Sequence, residues 1–161
     1  MAAPFGLGCA PKVNVTTAPD FDFASAGTYA WITDELVLIQ QGDPQPNVRT
    51  EANETLVRAA IERELAAKGY TKVAHDDADL LLAFSVGVRV RYRVEAVDIG
   101  GDVGDPQTKG TLNIYVLDRA ASREVWHANV TDWLSKSEEP AAVVDRAVGR
   151  LMAKLPPHAA P

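Results

Sequence analysis

The sequence predicts an α+β domain in which a largely antiparallel sheet of about five strands carries two helices on one face. The longest pattern runs from Leu80 to Val94, where every even position is apolar, as in a strand with one buried face. Two other stretches carry apolar residues at helical spacing. The remaining strand segments also alternate, which is typical of antiparallel sheets with one solvated face.

The elements follow the order β-β-α-β-β-β-α. Strands are predicted at residues 12–17, 28–32, 78–97, 108–117 and 124–134. Helices are predicted from about Arg49 to Lys68 and from Glu138 to Leu155, where Pro156-Pro157 ends the pattern. The long third strand would exceed roughly 50 Å, so we expect it to bend or break at Gly87.

Length and composition indicate one domain. The 161 residues are 47% hydrophobic and 24% charged, which is ordinary for a globular chain. We expect a disordered leader at residues 1–10, a single domain at 11–157 and a disordered tail at 158–161. The formal net charge of -6 disfavours a nucleic-acid-binding domain, which is normally basic.

The single cysteine lies in the leader. Gly6-Leu7-Gly8-Cys9-Ala10 is similar to the end of a bacterial lipoprotein signal, in which the cysteine becomes the lipidated first residue. Gly6 replaces the usual leucine, and only eight residues precede Cys9, with no apolar core. Two interpretations stay open: Cys9 is lipidated in the native protein, or it is an ordinary thiol in the leader.

Arg89, Arg91 and Arg93 alternate with apolar residues and therefore project from one side of the long strand. Guanidinium groups suit carboxylates and phosphates, so the three arginines are candidates for contact with an anionic partner. The alternative is an ordinary solvated sheet face, with the arginines paired across strands to Glu95, Asp98 or Asn113.

The other polar clusters predict no catalytic residue, metal site or cofactor. His75 with Asp76, Asp77 and Asp79 offers cation ligands but lacks the spacing and glycine of a calcium loop, so a capped acidic turn is favoured. His127 alternates with Trp126 and should face away from it, as a surface or structural histidine. No serine lies in a Gly-x-Ser-x-Gly motif.

Short motifs run in order along nearly the whole chain: Leu7-Gly8-Cys9, Val13-x-Val15, Asp20 to Phe23, Thr28-Tyr29-Ala30-Trp31, Lys68-Gly69-Tyr70, Ala78-Asp79-Leu80, Gly110-x-Leu112, Leu117-Asp118, Val125-Trp126 and Leu155-Pro156-Pro157. Together the motifs resemble the domain-of-unknown-function 4136 family of bacterial envelope lipoproteins. The resemblance implies a periplasm-facing α+β domain tethered to a membrane by lipid on Cys9. It implies no catalytic residues. Ala128 departs from the family's usual glycine.

The expected function is a non-enzymatic binding or adaptor module of the bacterial cell envelope, on the periplasmic side and anchored to the outer membrane. Its partner would be an envelope protein or an anionic envelope component. An alternative is a carrier of a small apolar or amphipathic ligand between sheet and helices. A hydrolase is the remote alternative, and it would require His75 or His127 near a carboxylate in a pocket.

Overall fold

The computed structural model describes residues 11–33, 50–91, 107–134 and 137–158, and for residues 89–91, 107 and 133 it describes the backbone alone. Cys9 and Arg93 lie outside the described residues. Six strands and two helices are present in these ranges: β1 Val13–Thr17, β2 Thr28–Trp31, α1 Glu51–Ala67, β3 Thr71–Lys72, β4 Leu80–Arg91, β5 Gln107–Asp118, β6 Arg123–Leu134 and α2 Pro140–Met152. A short 3-10 turn, His75–Asp77, precedes β4.

Helix α1 begins where the sequence predicts an N-terminus. The Thr50 hydroxyl accepts a hydrogen bond from the Asn53 amide at 3.1 Å, and Glu51 and Glu54 lie in the first turn, where the helix dipole favours carboxylates. The helix ends before Gly69, whose φ of 89° is the left-handed conformation that glycine adopts readily. The predicted buried stripe of α1 is confirmed: Val57, Ala60, Ile61 and Leu65.

Helix α2 opens with Pro140 at its first position, where the missing amide proton is not needed. Its buried side is formed by Val148, Leu151 and Met152, and Leu155 continues it after the helix.

The two helices pack together and cover one sheet face, so that a single core contains residues of every layer. Several core residues have no exposed surface at all: Ile61, Leu82, Ile114, Trp126, Ala128, Val148, Leu151 and Met152. None of the described helices is long and apolar enough to cross a bilayer.

The sheet has the order β1-β6-β5-β4-β2-β3 and is mixed. Strands β4, β5 and β6 form the predicted antiparallel meander, and β1 joins β6 antiparallel. Strand β2 instead lies parallel to both β3 and β4. The parallel pairing follows from the connection, because α1 returns the chain to the end of the sheet where β2 began. The expected α+β class is therefore confirmed, with one short additional strand and two parallel pairings.

The long strand was expected to bend or break at Gly87, and the expectation of a break there is wrong. Strand β4 continues through Gly87 to Arg91 in unbroken register with β5, and Gly87 lies opposite Thr111. A Cβ atom at Gly87 would meet only Thr111, at 4.0 Å, so the position does not require glycine. The irregularity lies elsewhere, since the pairing of β5 with β6 shifts between Val116 and Leu117.

His158 does not behave as part of a disordered tail. Its amide donates to the Lys68 carbonyl at 3.1 Å, and its ring lies 5.9 Å from that of Tyr70. The Tyr70 hydroxyl in turn donates to the Pro156 carbonyl at 2.8 Å. The proline-rich composition of the C-terminal residues did not reveal these contacts of His158. The contacts depend on space left by Gly27 and Gly69, which are distant in sequence. Residues 159–161 lie outside the described ranges.

Candidate functional site

The sheet face opposite the helices is the candidate site, and we call it the polar face. It is formed by alternate residues of four strands, because successive side chains of a strand point to opposite sides. None of these members is Lys, Arg, Asp or Glu, although Arg89 and Lys109 follow at the next alternate positions of β4 and β5, and none of the described helices covers it. Its members are Asn14, Thr16, Ala83, Ser85, Gly87, Thr111, Asn113, Tyr115, His127, Asn129 and Thr131.

Amide side chains form the central row of the polar face. Asn14 lies opposite Asn129, Asn129 opposite Asn113, and Asn113 opposite Ser85. The Asn14 amide donates to the Asn129 side-chain oxygen at 3.0 Å. In the neighbouring row the hydroxyls of Thr111 and Thr131 lie 2.8 Å apart. The register therefore gathers amides and hydroxyls from strands that are distant in sequence.

An aromatic stack lies beside the amide row. The rings of Tyr115 and His127 are stacked, with centroids 4.4 Å apart and planes 11° from parallel. His127 Nε2 lies 3.3 Å from the Asn113 side-chain oxygen, a contact in which the imidazole donates when that nitrogen carries its proton. Trp126, the preceding residue, is fully buried on the opposite side. The predicted orientation of His127 is therefore confirmed, whereas its partner Tyr115 was not foreseen.

The polar face can act as a recognition surface. Amides and hydroxyls both donate and accept hydrogen bonds, and a flat ring pair offers apolar contact area at little cost in conformational entropy. The contacts among these side chains orient them before any partner arrives. Pre-organised groups lose less entropy on binding than mobile ones.

The candidate arginines lie at one end of the sheet. Arg89 is opposite Lys109 and Arg91 is opposite Gln107, so neither faces a carboxylate on β5. Asn113, considered as a cross-strand partner for them, lies opposite Ser85 instead. Arg93 lies outside the described residues, as do Glu95 and Asp98.

The acidic turn is a structural feature. His75 Nδ1 lies 3.3 Å from the Asp76 carboxylate, and both side chains are exposed. The Asp79 carboxylate accepts from the Thr28 amide at 3.0 Å and from the Thr28 hydroxyl at 2.7 Å. Burial opposes ionisation of Asp79, but the hydrogen bonds from Thr28 and Gly27 outweigh it and hold the Asp79 pKa below its ordinary value. Asp79 therefore joins β2 to β4. Across the described ranges, no three His, Cys, Asp or Glu side chains gather as a metal site.

A second polar cluster was not found from the sequence because its members lie on three separate elements. Glu62 of α1 accepts from the Trp31 indole at 2.7 Å and from Lys72 at 2.6 Å. The Arg58 guanidinium lies over the Trp31 ring, 4.7 Å from its centroid. This cluster fastens α1 to the parallel strands β2 and β3.

Comparison with solved structures shows chains of the same fold. PelC from Paraburkholderia phytofirmans, solved as a dodecamer, is 15% identical over 92% of this chain and 99% of PelC, with a TM-score of 0.54. A PDZ domain protein from Parabacteroides distasonis is 17% identical over 86% of this chain, with a TM-score of 0.56. This chain spans only 34% of that protein.

Among curated proteins, no significant match to the chain is found. The family comparison covers nearly all of the sequence, since the model described as "Domain of unknown function (DUF4136)" matches residues 13–157. The matched region includes every described strand and helix. The chain therefore belongs to the DUF4136 family of domains of unknown function.

Proposed function

We propose that this protein is a non-enzymatic adaptor of the bacterial cell envelope, held at the periplasmic side of the outer membrane by lipid on Cys9 and contacting its partner through the polar face. The observation that carries the adaptor role is the arrangement of that face. Hydrogen-bonded amides, paired hydroxyls and the Tyr115–His127 stack lie together on a part of the sheet face that contains no charged side chain. The partner is an envelope component presenting polar, hydrogen-bonding groups.

The uncharged character of the face supports this role. In a chain with 24% charged residues, the solvated face of an antiparallel sheet normally carries many of the charges. The described ion pairs instead involve none of the members of the polar face, as between Arg63 and Asp145 or between Arg123 and Asp20. Uncharged amides and hydroxyls have a lower desolvation cost than charged groups, so such a face is suited to being covered.

The anchoring part of the proposal is supported by the residues around Cys9 and by the family resemblance. Leu7-Gly8-Cys9 is similar to the end of a lipoprotein signal. Expressing the full-length precursor in its native host and fractionating the cells tests it. We expect the protein in the membrane fraction, and the Cys9→Ser variant in the soluble fraction. Recovery of the wild-type protein from the cytoplasm would refute the anchoring.

The adaptor role is tested by photo-crosslinking in living cells. A crosslinking amino acid replaces the exposed Thr131 on the polar face or, as a control, the exposed Arg63 on α1. We expect a discrete crosslinked product from position 131 and none from position 63. The second arm introduces Asn129→Asp beside position 131, which places a charge on the face and should weaken the product. Equal crosslinking from both positions would contradict a contact through the polar face.

The carrier alternative gains no support from the interior. The space between sheet and helices is occupied by large, fully buried side chains, among them Trp126, Ile114 and Met152. The hydrolase alternative likewise gains none from the two histidines. His75 meets the carboxylate of its sequence neighbour on an exposed turn, and the partners of His127 are Asn113 and Tyr115.

A further inference from the structure

Strand β1 forms one edge of the sheet, and its outer side has no partner strand among the described segments. The sheet order places β1 at one end, next to β6, and β3 at the other end. The β3 edge has only two residues, Thr71 and Lys72, and therefore offers few backbone groups to another strand. The β1 edge is five residues long and is the better template for pairing.

The backbone groups on the outer side of β1 belong to alternate residues. In an antiparallel pair, residues that exchange backbone hydrogen bonds alternate with residues whose amides and carbonyls point away from the partner strand. The Ala18 amide donates to the Val125 carbonyl at 2.8 Å, in the same register as the rest of β1 with β6. Thr16 and Asn14 therefore bond to β6. The other three residues direct their amides and carbonyls outwards: Val13, Val15 and Thr17.

Strand β1 lacks the features that normally protect an edge from pairing. Charged side chains, proline and bulges usually block such edges, whereas Val-Asn-Val-Thr-Thr contains no charge and no proline, and its register with β6 has no shift. Among the described residues, Val15 and Ile32 are the most exposed large apolar side chains, and Val15 is 39% exposed. Val15 lies opposite the fully buried Ala128, so this exposed valine lies at the margin of the core.

The sequence around Val15 is symmetric in the features that control pairing. Pro11 and Pro19, which cannot donate a backbone hydrogen bond, lie four residues before and after Val15. The outward-facing Val13 and Thr17 lie two residues before and after it. When two copies of β1 run antiparallel with Val15 opposite Val15, Val13 of each copy meets Thr17 of the other. The prolines then lie opposite each other, beyond the paired residues.

We propose that two copies of this chain associate through β1 as a two-fold symmetric dimer with one continuous sheet. The three outward-facing residues of each copy exchange about six backbone hydrogen bonds across the interface. The exposed surfaces of the two Val15 side chains cover each other. Lys12 lies opposite Ala18 of the second copy, so no charge faces its own counterpart. The symmetry about Val15 favours a second copy over an unrelated strand, because only a second copy matches it.

The dimer enlarges the polar face without covering it. The two-fold axis is perpendicular to the paired strands and to the sheet, which keeps both polar faces on the same side. Asn14 lies opposite Thr16 of the second copy. The amide row of one copy is therefore continued by Thr16, His127 and Tyr115 of the other. Dimerisation requires neither lipid on Cys9 nor another partner, so it can be tested with the full chain in solution.

Sedimentation equilibrium of the full chain measures the association. The Cys9→Ser variant, which lacks the sole cysteine, serves as the reference, so that no disulfide can link two copies. We expect a concentration-dependent equilibrium between monomer and dimer. Val15→Lys places like charges directly opposite each other and should weaken the dimer by about fivefold or more. The matched control Ala59→Lys adds the same charge at an exposed position of α1 and should associate as the reference does.

Single cysteines in the Cys9→Ser background locate the contact and its register. Val15 and Thr17 are both exposed on β1. Val15→Cys places each thiol opposite its own counterpart, with Cα atoms about 5.5 Å apart, which a disulfide can bridge. Thr17→Cys leaves the two thiols offset by about 14 Å along the strands, which is too far. We expect a disulfide-linked dimer from Val15→Cys under mild oxidation and none from Thr17→Cys.

Three results would each overturn the dimer. The first is a reference chain that sediments as a monomer at every concentration. The second is equal association of Val15→Lys and Ala59→Lys, and the third is equal crosslinking from the two cysteine positions, which indicates a parallel or random contact. Urea unfolding verifies that each variant is folded, and the cysteine pair decides the matter if Val15→Lys does not fold.

Discussion

The imidazole of His127 lies flat against the phenol ring of Tyr115, with centroids 4.4 Å apart and planes 11° from parallel. The two residues are directly opposed on β5 and β6, so the stack is a consequence of strand register. Asn113 fixes the outer edge of the imidazole through Nε2. The pair therefore has a defined orientation on a face that none of the described helices covers.

The stack predicts an energetic coupling between its two members. Replacing Tyr115 or His127 by alanine removes the same ring contact, so the two effects should not add. We expect a double-mutant cycle, measured by urea unfolding, to give a coupling of about 0.5 to 1 kcal/mol. Strictly additive single substitutions would show that the stacking contributes nothing to stability.

Gly27 leaves room for the ring of His158. A Cβ atom at position 27 would lie 2.7 Å from His158 Nε2, closer than side-chain carbons approach other atoms. We expect Gly27→Ala to lower the free energy of unfolding by about 1 kcal/mol, because the ring must leave its place. Thermal or urea unfolding measures this, and the loss should largely vanish when Gly27→Ala is made together with His158→Ala.

Gly149 provides the matched control for Gly27. It lies within α2, and nothing lies within 4 Å of a Cβ atom built there. Gly149→Ala should therefore raise the free energy of unfolding by about 0.5 to 1 kcal/mol, since alanine loses less conformational entropy in a helix. A stabilising effect of alanine at both positions would contradict the proposed steric role of Gly27.

Thr28 and Asp79 form a reciprocal link between β2 and β4. The Thr28 hydroxyl donates to the Asp79 carboxylate at 2.7 Å and accepts from the Asp79 amide at 3.0 Å. Thr28→Val keeps the shape and removes both bonds, and we expect a loss of about 1 kcal/mol in urea unfolding. Thr28→Ser retains the hydroxyl and should lose less than half of that. Equal losses in the two variants would indicate that the methyl group, and not the hydroxyl, matters.

We expect the Glu62 carboxylate to stabilise the folded protein in a pH-dependent way. Burial would raise the pKa of its carboxyl, but the hydrogen bonds from Lys72 and Trp31, with the charges of Lys72 and Arg58, lower it below the ordinary value of 4.5. A carboxyl with a lowered pKa in the folded state stabilises the protein above its unfolded pKa. That contribution is lost as the pH falls through the folded-state pKa.

The expected measurement compares the wild type with Glu62→Gln, which keeps an oxygen for the Trp31 indole but cannot ionise. The advantage of the wild type in urea unfolding should be present at neutral pH and diminish below about pH 4.5. An advantage that stays constant as the solution is acidified would show that ionisation of Glu62 does not contribute.

Much of the fold is predictable because its patterns are long. The apolar pattern of β4 repeats over several residue pairs, and that of α1 repeats over several helical turns. The buried residues that these patterns predict, Leu82 in β4 and Ile61 and Leu65 in α1, have almost no exposed surface. The parallel position of β2 is not predictable in this way. Strand β2 has only four residues, and its residue pattern is compatible with either parallel or antiparallel pairing. Its position in the sheet depends on the path of α1 and on the hydrogen bond from Thr28 to Asp79.

Only part of the candidate site could be predicted from the sequence. Alternation shows that His127 and Asn129 face away from Trp126, but it does not show what lies beside them. Their neighbours Tyr115 and Asn113 follow from the register of β5 against β6, which includes a shift between Val116 and Leu117. A shift of that kind has no clear signature in the residues themselves.

The pairing of β1 with β6 has a consequence for the order of assembly. Val13 bonds in register with Val130, so the first strand synthesised must wait for the last one before it can enter the sheet. The β4–β5–β6 meander needs only neighbouring segments and should form earlier, because short loops close at a lower entropic cost. The N-terminal segment would therefore remain outside the sheet until the rest of the domain has folded.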